Sequence, residues 1–438
     1  MTRRIILPLA GPRLASIRTL ALLAALLCAA VVVPPARASN CAGTSTGLIP
    51  ITDLGTGFYQ GAQGGLYPGG ANARPALHEA AGIAIANAIV PLDTLGNPDA
   101  VNGRVVFVSI GMSNCTQEFS AFVLKSDVDP LRKANVRTLD CALGGQTANI
   151  LAQPTSAYWD TVITRLRGHG SSPSQVQVVW LKDANANPTG GFAVNRDTLA
   201  AQFFRIAQFL KQKLPNVKLC YMTSRIYAGY ASSTLNPEPY AYENAFAVKQ
   251  LIAQQLSGDP ALNYDPASGP AVAPWLSWGP YLWADGLTPR SDGLTWACSE
   301  LNSSDGTHPS ATGRAKVADS LLAFVHGDVT TIPWYLASSP VAVGAGASPS
   351  HVRLGVSPNP QRGAVTFAIV APAGGAWSLE VLDAAGRVLH SQRGAGGGEV
   401  SRRWDGRDAA GRSAPAGMYW ARLRSGSESV TQAFVRLQ

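Results

Sequence analysis

Residues 104–114 read Arg-Val-Val-Phe-Val-Ser-Ile-Gly-Met-Ser-Asn, an apolar run that ends in a glycine and a serine. Similar β-rich runs follow at residues 136–139, 176–181 and 217–222. Runs this apolar are typical of strands buried on both faces, as in a parallel sheet. An amphipathic helix lies between the last two runs, and we expect Asp197 or Thr198 to cap it. The alternation of strands and helices predicts a three-layer α/β fold.

The amino-acid composition of the chain changes near residue 338. Residues 258–310 are rich in Gly, Pro, Trp and Asp and are predicted to form long loops. Residues 338–351 have the composition of a linker, which separates a domain over 39–337 from one over 352–438. Seven short β-like runs in the second domain predict a small β-sandwich. Further helices are predicted at residues 76–89, 240–255 and 311–324.

Residues 1–38 have the pattern of an export signal. They carry five arginines and no acidic residue, and arginines precede the apolar run 20–33. Ala36-Arg37-Ala38 supplies a small-x-small cleavage site, so we predict a secreted or cell-surface protein; an uncleaved anchor is the alternative. Because these arginines account for much of the formal charge of +8, no basic face for nucleic acid is indicated.

Export makes disulfides possible, and five cysteines follow the predicted cleavage site. Cys115 and Cys141 come near the ends of neighbouring predicted strands, so they are our candidates for a disulfide, with Cys220 as the free thiol. The cysteine spacing fits no zinc pattern.

Candidate catalytic residues follow the predicted strands, because polar groups gather at the carboxyl ends of parallel strands. Ser113 follows the first strand and is the candidate nucleophile. His308 is the one histidine of six with an aspartate, Asp305, three residues before it, and that carboxylate can orient the ring. The alternatives are a serine that caps a helix and an Asp–His pair at a helix start. A formal G-x-S-x-G match at residues 43–47 has no strand before it and is set aside.

Donors for an oxyanion are expected on the next two loops. Gly145 lets the backbone approach a substrate closely, although a plain turn is the alternative. Asn185 is the candidate amide donor and Asn187 the reserve; both are also ordinary turn formers.

These four blocks resemble those of the SGNH (GDSL-like) hydrolases, in the same order along residues 40–335. The matching residues are Gly111-Met112-Ser113, Gly144-Gly145, Asn185 and Asp305-x-x-His308. Met112 stands where the family usually has an aspartate, and the third block lacks the usual Gly-x-Asn-Asp. The resemblance implies a flavodoxin-like sheet, with Ser113 as nucleophile and His308 as base, oriented by Asp305. The backbone N–H groups of Ser113 and Gly145 and the Asn185 amide would hold the oxyanion. The resemblance also implies that no metal or organic cofactor is needed.

The substrate implied by the resemblance is an acylated carbohydrate, so we expect a carbohydrate acetylesterase. Gln117, Glu118, Tyr227 and Asp292 are the candidate pocket residues. Five aromatic residues before Asp305 suit a sugar face or, alternatively, loop packing: Trp275, Trp278, Tyr281, Trp283 and Trp296. The alternative functions are an inactive glycan-binding surface protein and a lipid esterase.

The C-terminal part resembles the Ig-like module of flagellar hook-capping proteins and the sorting domains of type IX secretion. The resemblance implies a role in sorting, attachment to the cell surface or the export machinery, or spacing. The pentapeptide Asp-Ala-Ala-Gly-Arg occurs at 383–387 and 408–412, which we interpret as two similar hairpin turns. The matching residues are Ser357-Pro358-Asn359-Pro360, the first pentapeptide, Trp404-Asp405-Gly406-Arg407 and Gly417-Met418-Tyr419.

Overall fold

The computed structural model of the chain divides into two units, Met1–Ala337 and Ser338–Gln438. The predicted export signal, apart from residue 38, and the predicted linker lie outside the described residues. None of the helices in the described residues is long and apolar enough to cross a membrane. The described residues are 38–337, 352–357, 363–371, 375–383, 386–395, 398–426 and 428–436.

The first unit is built on a five-stranded parallel sheet. A small separate hairpin of β1 (Phe58–Tyr59) and β2 (Ala62–Gln63) precedes the strands of this sheet in the chain. The order across the sheet is β4-β3-β5-β6-β7. β3 is the first strand of this sheet along the chain, and it lies between the second and the third, β4 and β5. This is the flavodoxin-like order, which confirms the predicted fold. The strands are β3 (Val105–Gly111), β4 (Val136–Asp140), β5 (Val176–Lys182), β6 (Leu219–Met222) and β7 (Trp275–Trp278).

Helices form a layer on each face of this sheet. α2, α3, α8 and α9 pack in one group, and α4, α5, α6 and α7 pack in another. Short 3-10 turns lie at Pro68–Gly70, Pro173–Gln175, Pro260–Leu262, Pro266–Ser268 and Cys298–Glu300. The α-helices are α1 (Ile51–Leu54), α2 (Ala76–Asn87), α3 (Ser113–Asp127), α4 (Ala148–Leu151), α5 (Tyr158–Gly168), α6 (Phe192–Lys213), α7 (Tyr240–Leu256), α8 (Ala311–Gly327) and α9 (Ile332–Tyr335).

The core lies between the sheet and these layers. Every residue of β3 and of β5 is buried, as expected for central strands covered on both faces. Phe107 of β3 meets Phe119 of α3 edge-on at 5.2 Å, and Phe119 stacks on Trp180 of β5 at 5.6 Å. These contacts pack α3 against the sheet, and the candidate site lies where β3 ends and α3 begins.

Two expectations about elements are wrong. Trp275–Trp278 forms the edge strand β7 inside the region predicted as loops, because its pairing with β6 comes from tertiary packing. Helix α6 begins at Phe192 and not near Asp197, since the Phe192 ring is buried against Tyr59 and Phe246.

The predicted disulfide is also wrong, because the disulfide joins Cys41 to Cys298, with Cα atoms 5.4 Å apart. Cys115 and Cys141 are free and fully buried, and burial raises the pKa of Cys141 to about 12. Cys220 is free, as expected. The N-terminal segment reaches Cys298 only in the folded chain, so spacing in the sequence could not reveal the pair.

The second unit is a sandwich of a four-stranded and a three-stranded antiparallel sheet, which confirms the predicted small β domain. The sheet orders are β11-β10-β13-β14 and β12-β9-β8. Trp404, Phe434 and Tyr419 meet in its core with ring centroids about 6 Å apart. The strands are β8 (Arg353–Ser357), β9 (Val365–Ala371), β10 (Ala376–Leu382), β11 (Val388–Ala395), β12 (Gly398–Trp404), β13 (Gly417–Ser425) and β14 (Glu428–Arg436).

The first and last residues of the two pentapeptides make the same contacts. In each, the aspartate N–H donates to the carbonyl oxygen of the arginine four residues later, and the two side chains form an ion pair: Asp383 with Arg387 and Asp408 with Arg412. The first turn joins β10 to its neighbour β11. The second lies between β12 and β13, which belong to different sheets, so only the first is a hairpin.

Candidate active site

A sharp turn at the end of β3 presents Ser113 at the carboxyl edge of the sheet. β3 pairs with β5 up to Gly111 opposite Lys182. Gly111 has φ of +144°, and a Cβ atom there would overlap the backbone oxygen of Lys182, so the position requires glycine. Met112 is extended and Ser113 begins α3. The backbone N–H of Ser113 therefore has no acceptor within the helix and is available to a ligand.

A second turn places His308 opposite Ser113. Gly306 has φ of +63° and lies directly against the backbone of Tyr230, which allows no side chain. One carboxylate oxygen of Asp305 accepts the backbone N–H groups of Thr307 at 2.8 Å and His308 at 2.9 Å. The turn is thus held by the same carboxylate that faces the imidazole.

Ser113, His308 and Asp305 form one hydrogen-bonded chain. Ser113 Oγ lies 2.7 Å from His308 Nε2, and His308 Nδ1 lies 2.8 Å from Asp305 Oδ2. An ionised Asp305 can only accept, so it favours the tautomer with the proton on Nδ1 and leaves Nε2 free to accept from Ser113. The structure brings together a hydroxyl and an imidazole that are 195 positions apart in the sequence.

The charge state of Asp305 follows from its contacts. Burial alone would raise the pKa of the carboxyl group, but the hydrogen bonds from the His308 ring and from the backbone of His308 and Thr307 outweigh it. The pKa of Asp305 therefore lies below its usual value, and the carboxylate is ionised at neutral pH.

The loop that carries His308 is tied to α3. The carbonyl oxygen of Thr307 accepts the side-chain amide of the buried Asn114 at 3.1 Å and the Arg225 guanidinium at 3.4 Å. Asn114 directly follows Ser113, so this bond fixes the distance between the two loops.

Ser113 and His308 open into a cavity of about 350 Å³. Gly145, with φ of +77°, lies on its wall, and a Cβ at Gly144 would be 3.7 Å from that of Ser113. The loop after β4 therefore brings backbone next to the serine hydroxyl. The wall is formed by Met112, Ser113, Asn114, Gly145, Thr147, Asn185, Ala186, Arg225, Leu235, Asn236 and His308.

Asn185 lines the cavity, but its side chain already has partners. Its amide nitrogen donates to Gln202 at 2.7 Å, and its oxygen accepts the backbone N–H of Asn149 at 3.2 Å. One amide hydrogen remains for a ligand. The reserve candidate, Asn187, has φ of +49°, and its side chain accepts the Thr234 hydroxyl away from the cavity wall.

The four pocket residues expected from the sequence are not on this wall. Glu118 is fully buried and pairs with Lys182 at 2.5 Å and 2.7 Å, because α3 turns it inward against β5. The Gln117 side-chain oxygen is also buried. The buried Tyr227 donates its hydroxyl to the carbonyl of Gly43 at 2.6 Å.

Asp292 lies elsewhere on the surface. It is 57% exposed and forms an ion pair with Arg290 at 2.6 Å beside a different cavity. The five aromatic residues before Asp305 are all buried in the core, so they do not form an exposed face for a sugar.

Sequence reasoning gave no role to four polar residues of the cavity wall: Asn114, Thr147, Arg225 and Asn236. Asn114 follows Ser113 directly, so its position in the motif was a signal for it. Arg225 lies three residues after β6, and the rule about carboxyl ends of strands points to it. Asn236 lies in a loop with no motif and reaches the wall through a bond to the Asn185 carbonyl at 2.9 Å.

Comparisons with known proteins give partial likenesses. No family model matches the chain, and no curated protein sequence matches it. A putative GDSL-like lipase from Parabacteroides merdae is 11% identical over 52% of this chain and 95% of its own, with a TM-score of 0.28. An extracellular lipase from Streptomyces rimosus is 14% identical over 50% of this chain and 99% of its own, with a TM-score of 0.27.

Other solved structures are similar to about a fifth of the chain. PorZ, a surface component of the type-IX secretion system of Porphyromonas gingivalis, is 25% identical over 19% of this chain, with a TM-score of 0.17. FlgD of Xanthomonas campestris is 24% identical over 20% of this chain and 63% of its own, with a TM-score of 0.14. This chain covers 11% of PorZ and 10% of PorU from the same bacterium. These likenesses do not identify a function for this chain, so its own site residues have to indicate one.

Proposed function

We propose that this protein is a serine esterase that removes acetyl or other short acyl groups from carbohydrate. The observation that carries the proposal is the hydrogen-bonded chain from Ser113 through His308 to Asp305 at the mouth of a small cavity. A nucleophile, a base within hydrogen-bond reach and a group that orients the base are the parts that acyl transfer requires.

The reaction follows from this geometry. Ser113 Oγ attacks the ester carbonyl carbon while its proton passes to His308 Nε2, and Asp305 stabilises the imidazolium that forms. His308 then gives the proton to the departing alcohol oxygen, and the C–O bond breaks to leave an acyl-serine. Water attacks that ester with His308 again as base, which releases the acid and restores Ser113.

The negative oxygen of the tetrahedral intermediate needs donors. The backbone N–H of Ser113 at the start of α3 and that of Gly145 supply two, and the free amide hydrogen of Asn185 supplies a third. The dipole of α3 adds to them, since its positive end is at Ser113. One such donor contributes about 3–4 kcal/mol to the stabilisation of the transition state.

The size of the cavity favours a short acyl group. About 350 Å³ is at the lower end of ligand pockets, so the cavity has room for a short acyl group and not for a long one. The lipid-esterase alternative needs room for such a chain. The glycan-binding alternative requires that Ser113 does not catalyse hydrolysis. With Met112 beside the serine, the Ser113–His308 and His308–Asp305 hydrogen bonds still form.

The experiment compares Ser113→Ala with the wild type on 4-nitrophenyl esters of increasing chain length and on acetylated xylan and pectin. We expect acetate release from the polysaccharides, a rate that falls with acyl length, and loss of turnover in the variant. Ser45→Ala is the matched control, because Ser45 lies in the formal G-x-S-x-G match and bonds to Asp285 but not to a histidine. Full turnover by Ser113→Ala would reject the proposal, and no turnover by the wild type would favour the glycan-binding alternative.

We further propose that the protein acts outside the cytoplasm. Two observations support this: the N-terminal pattern of an export signal, and the disulfide between Cys41 and Cys298. Disulfides persist in oxidising compartments and are rare in the cytosol. Thiol labelling of the protein from the culture medium, with and without reductant, tests the pairing directly; two labelled thiols more after reduction are expected.

A further inference from the structure

Arg225 is a buried cation on the wall of the catalytic cavity. Arg225 follows strand β6 by three residues, the residue is 1% exposed, and it shares the wall with Ser113 and His308. Arg225 and His308 are the two wall residues with a basic side chain, and none of the described wall residues has an acidic side chain. A permanent charge at this place is therefore a distinct feature of the site.

The guanidinium has few partners in the structure. Its single hydrogen bond goes to the Thr307 carbonyl at 3.4 Å, which is long, and its Nε is buried without a partner within the described residues. A guanidinium has five N–H donors and stays protonated in proteins. Burying such a group without hydrogen bonds is costly, so folds rarely keep one unless a partner arrives.

Two of the four carboxylates near Arg225 are already paired. Glu118 forms its ion pair with Lys182, and Asp305 bonds to His308. Both act on Arg225 only through space. Neither supplies the hydrogen-bond acceptors that the guanidinium needs.

The other two carboxyl groups are poor counter-ions. Glu238 accepts from the Trp283 indole and from two backbone N–H groups, and burial raises its pKa to about 7. Asp183 accepts the backbone N–H of Ala184 at 2.7 Å, and burial raises the pKa of its carboxyl group well above the usual value. Across residues 38–337, no carboxylate forms an ion pair with Arg225.

We propose that Arg225 binds a carboxylate that the substrate carries close to the scissile ester. The inference rests on the proposed esterase function and narrows its substrate class to acidic esters. A carboxylate offers the paired acceptors that match a guanidinium fork. Two positions for it are chemically open: the acyl group, as in a hemiester of a dicarboxylic acid, or the alcohol, as in an acetylated uronate.

A structural role for Arg225 leads to different expectations. If the charge served only to offset the four carboxylates, its removal would destabilise the protein and slow all esters alike. If it binds substrate, its removal changes the selectivity between acidic and neutral esters. The ratio of kcat/KM for the two kinds of ester separates these roles, because a common loss cancels.

The experiment measures that ratio in the full-length protein for the wild type, Arg225→Met and Arg225→Lys. One arm compares mono-4-nitrophenyl succinate with 4-nitrophenyl acetate, and the other compares acetylated oligogalacturonate with its methyl-esterified form. We expect Arg225→Met to lose about 10- to 100-fold of the preference for the acidic ester in one arm, as for a hydrogen-bonded charge. Arg225→Lys should lose less. Arg196→Met is the control, because Arg196 pairs with Asp197 on the surface.

The outcomes separate the two proposals. A loss in the succinate arm places the carboxylate on the acyl group, and a loss in the galacturonate arm places it on the sugar. Unchanged selectivity in both arms, with acetate hydrolysis still dependent on Ser113, would overturn the role of Arg225 and leave the esterase standing. No hydrolysis by the wild type would reject both. Should Arg225→Met fail to fold, competitive inhibition of the wild type by succinate and galacturonate is compared with that by their neutral amides; equal inhibition would overturn the inference.

Discussion

Replacing Asp305 by asparagine removes the negative charge of the carboxylate and keeps a side chain of the same shape. The Asp305 oxygen that accepts the backbone N–H groups of Thr307 and His308 has an equivalent in the amide, so the turn keeps both bonds. The other oxygen, 2.8 Å from His308 Nδ1, becomes an NH₂ group that can only donate. His308 must then carry its proton on Nε2, which faces Ser113 and can no longer accept from it.

The expected loss follows from that tautomer. A His held in the wrong tautomer lowers turnover by about 10⁴-fold in a serine protease, which corresponds to about 5 kcal/mol of activation free energy. Here Asp305 is partly exposed, so we expect a loss of about 10³- to 10⁴-fold in kcat/KM. The lowered pKa of the wild-type Asp305 means that its charge contributes to stability above its unfolded pKa and that this contribution disappears as the pH falls through the folded pKa. The variant should lack that acid dependence.

The assay is hydrolysis of 4-nitrophenyl acetate at neutral pH, with thermal unfolding measured on the same samples. Asp292→Asn is the matched control, since Asp292 is exposed and lies at a different cavity. We expect it to retain the wild-type rate. A rate for Asp305→Asn within tenfold of the wild type, in a folded protein, would refute the tautomer reasoning.

Two further predictions concern stability. Replacing both Cys41 and Cys298 by serine should lower the free energy of unfolding by about 2–5 kcal/mol, because the disulfide closes a loop of 257 positions; denaturant titration measures it, and a change below about 1 kcal/mol would contradict it. Glu118→Gln should cost about 3–5 kcal/mol, because it leaves Lys182 buried without its counter-ion. Glu118 is not on the cavity wall, so we expect the KM of Glu118→Gln to stay unchanged. A raised KM with unchanged stability would contradict this expectation and support a role in substrate binding.

Sequence reasoning succeeded where local chemistry and spacing carried the information. The buried strands are visible as short apolar patterns, and the structure confirms them. The serine after Gly111 and the Asp305–His308 pair are also short patterns; the structure brings them within hydrogen-bond distance, and their catalytic role stays a prediction. Sequence reasoning failed where a side chain's direction depended on packing. Glu118 lies on the same helix as Ser113, but its neighbours in space, and not its place in the motif, turn it inward to Lys182.

The alternation of strands and helices, the seven short strands of the second unit and the types of residue at each strand end follow from the amino-acid order, because these features depend on neighbours within a few positions. Tertiary structure alone decided that Cys41 meets Cys298, that Trp275–Trp278 completes the sheet, and that Arg225 is left with one long hydrogen bond beside Ser113. Those outcomes depend on contacts between segments far apart in the chain, whose free energy is set by how the whole core packs.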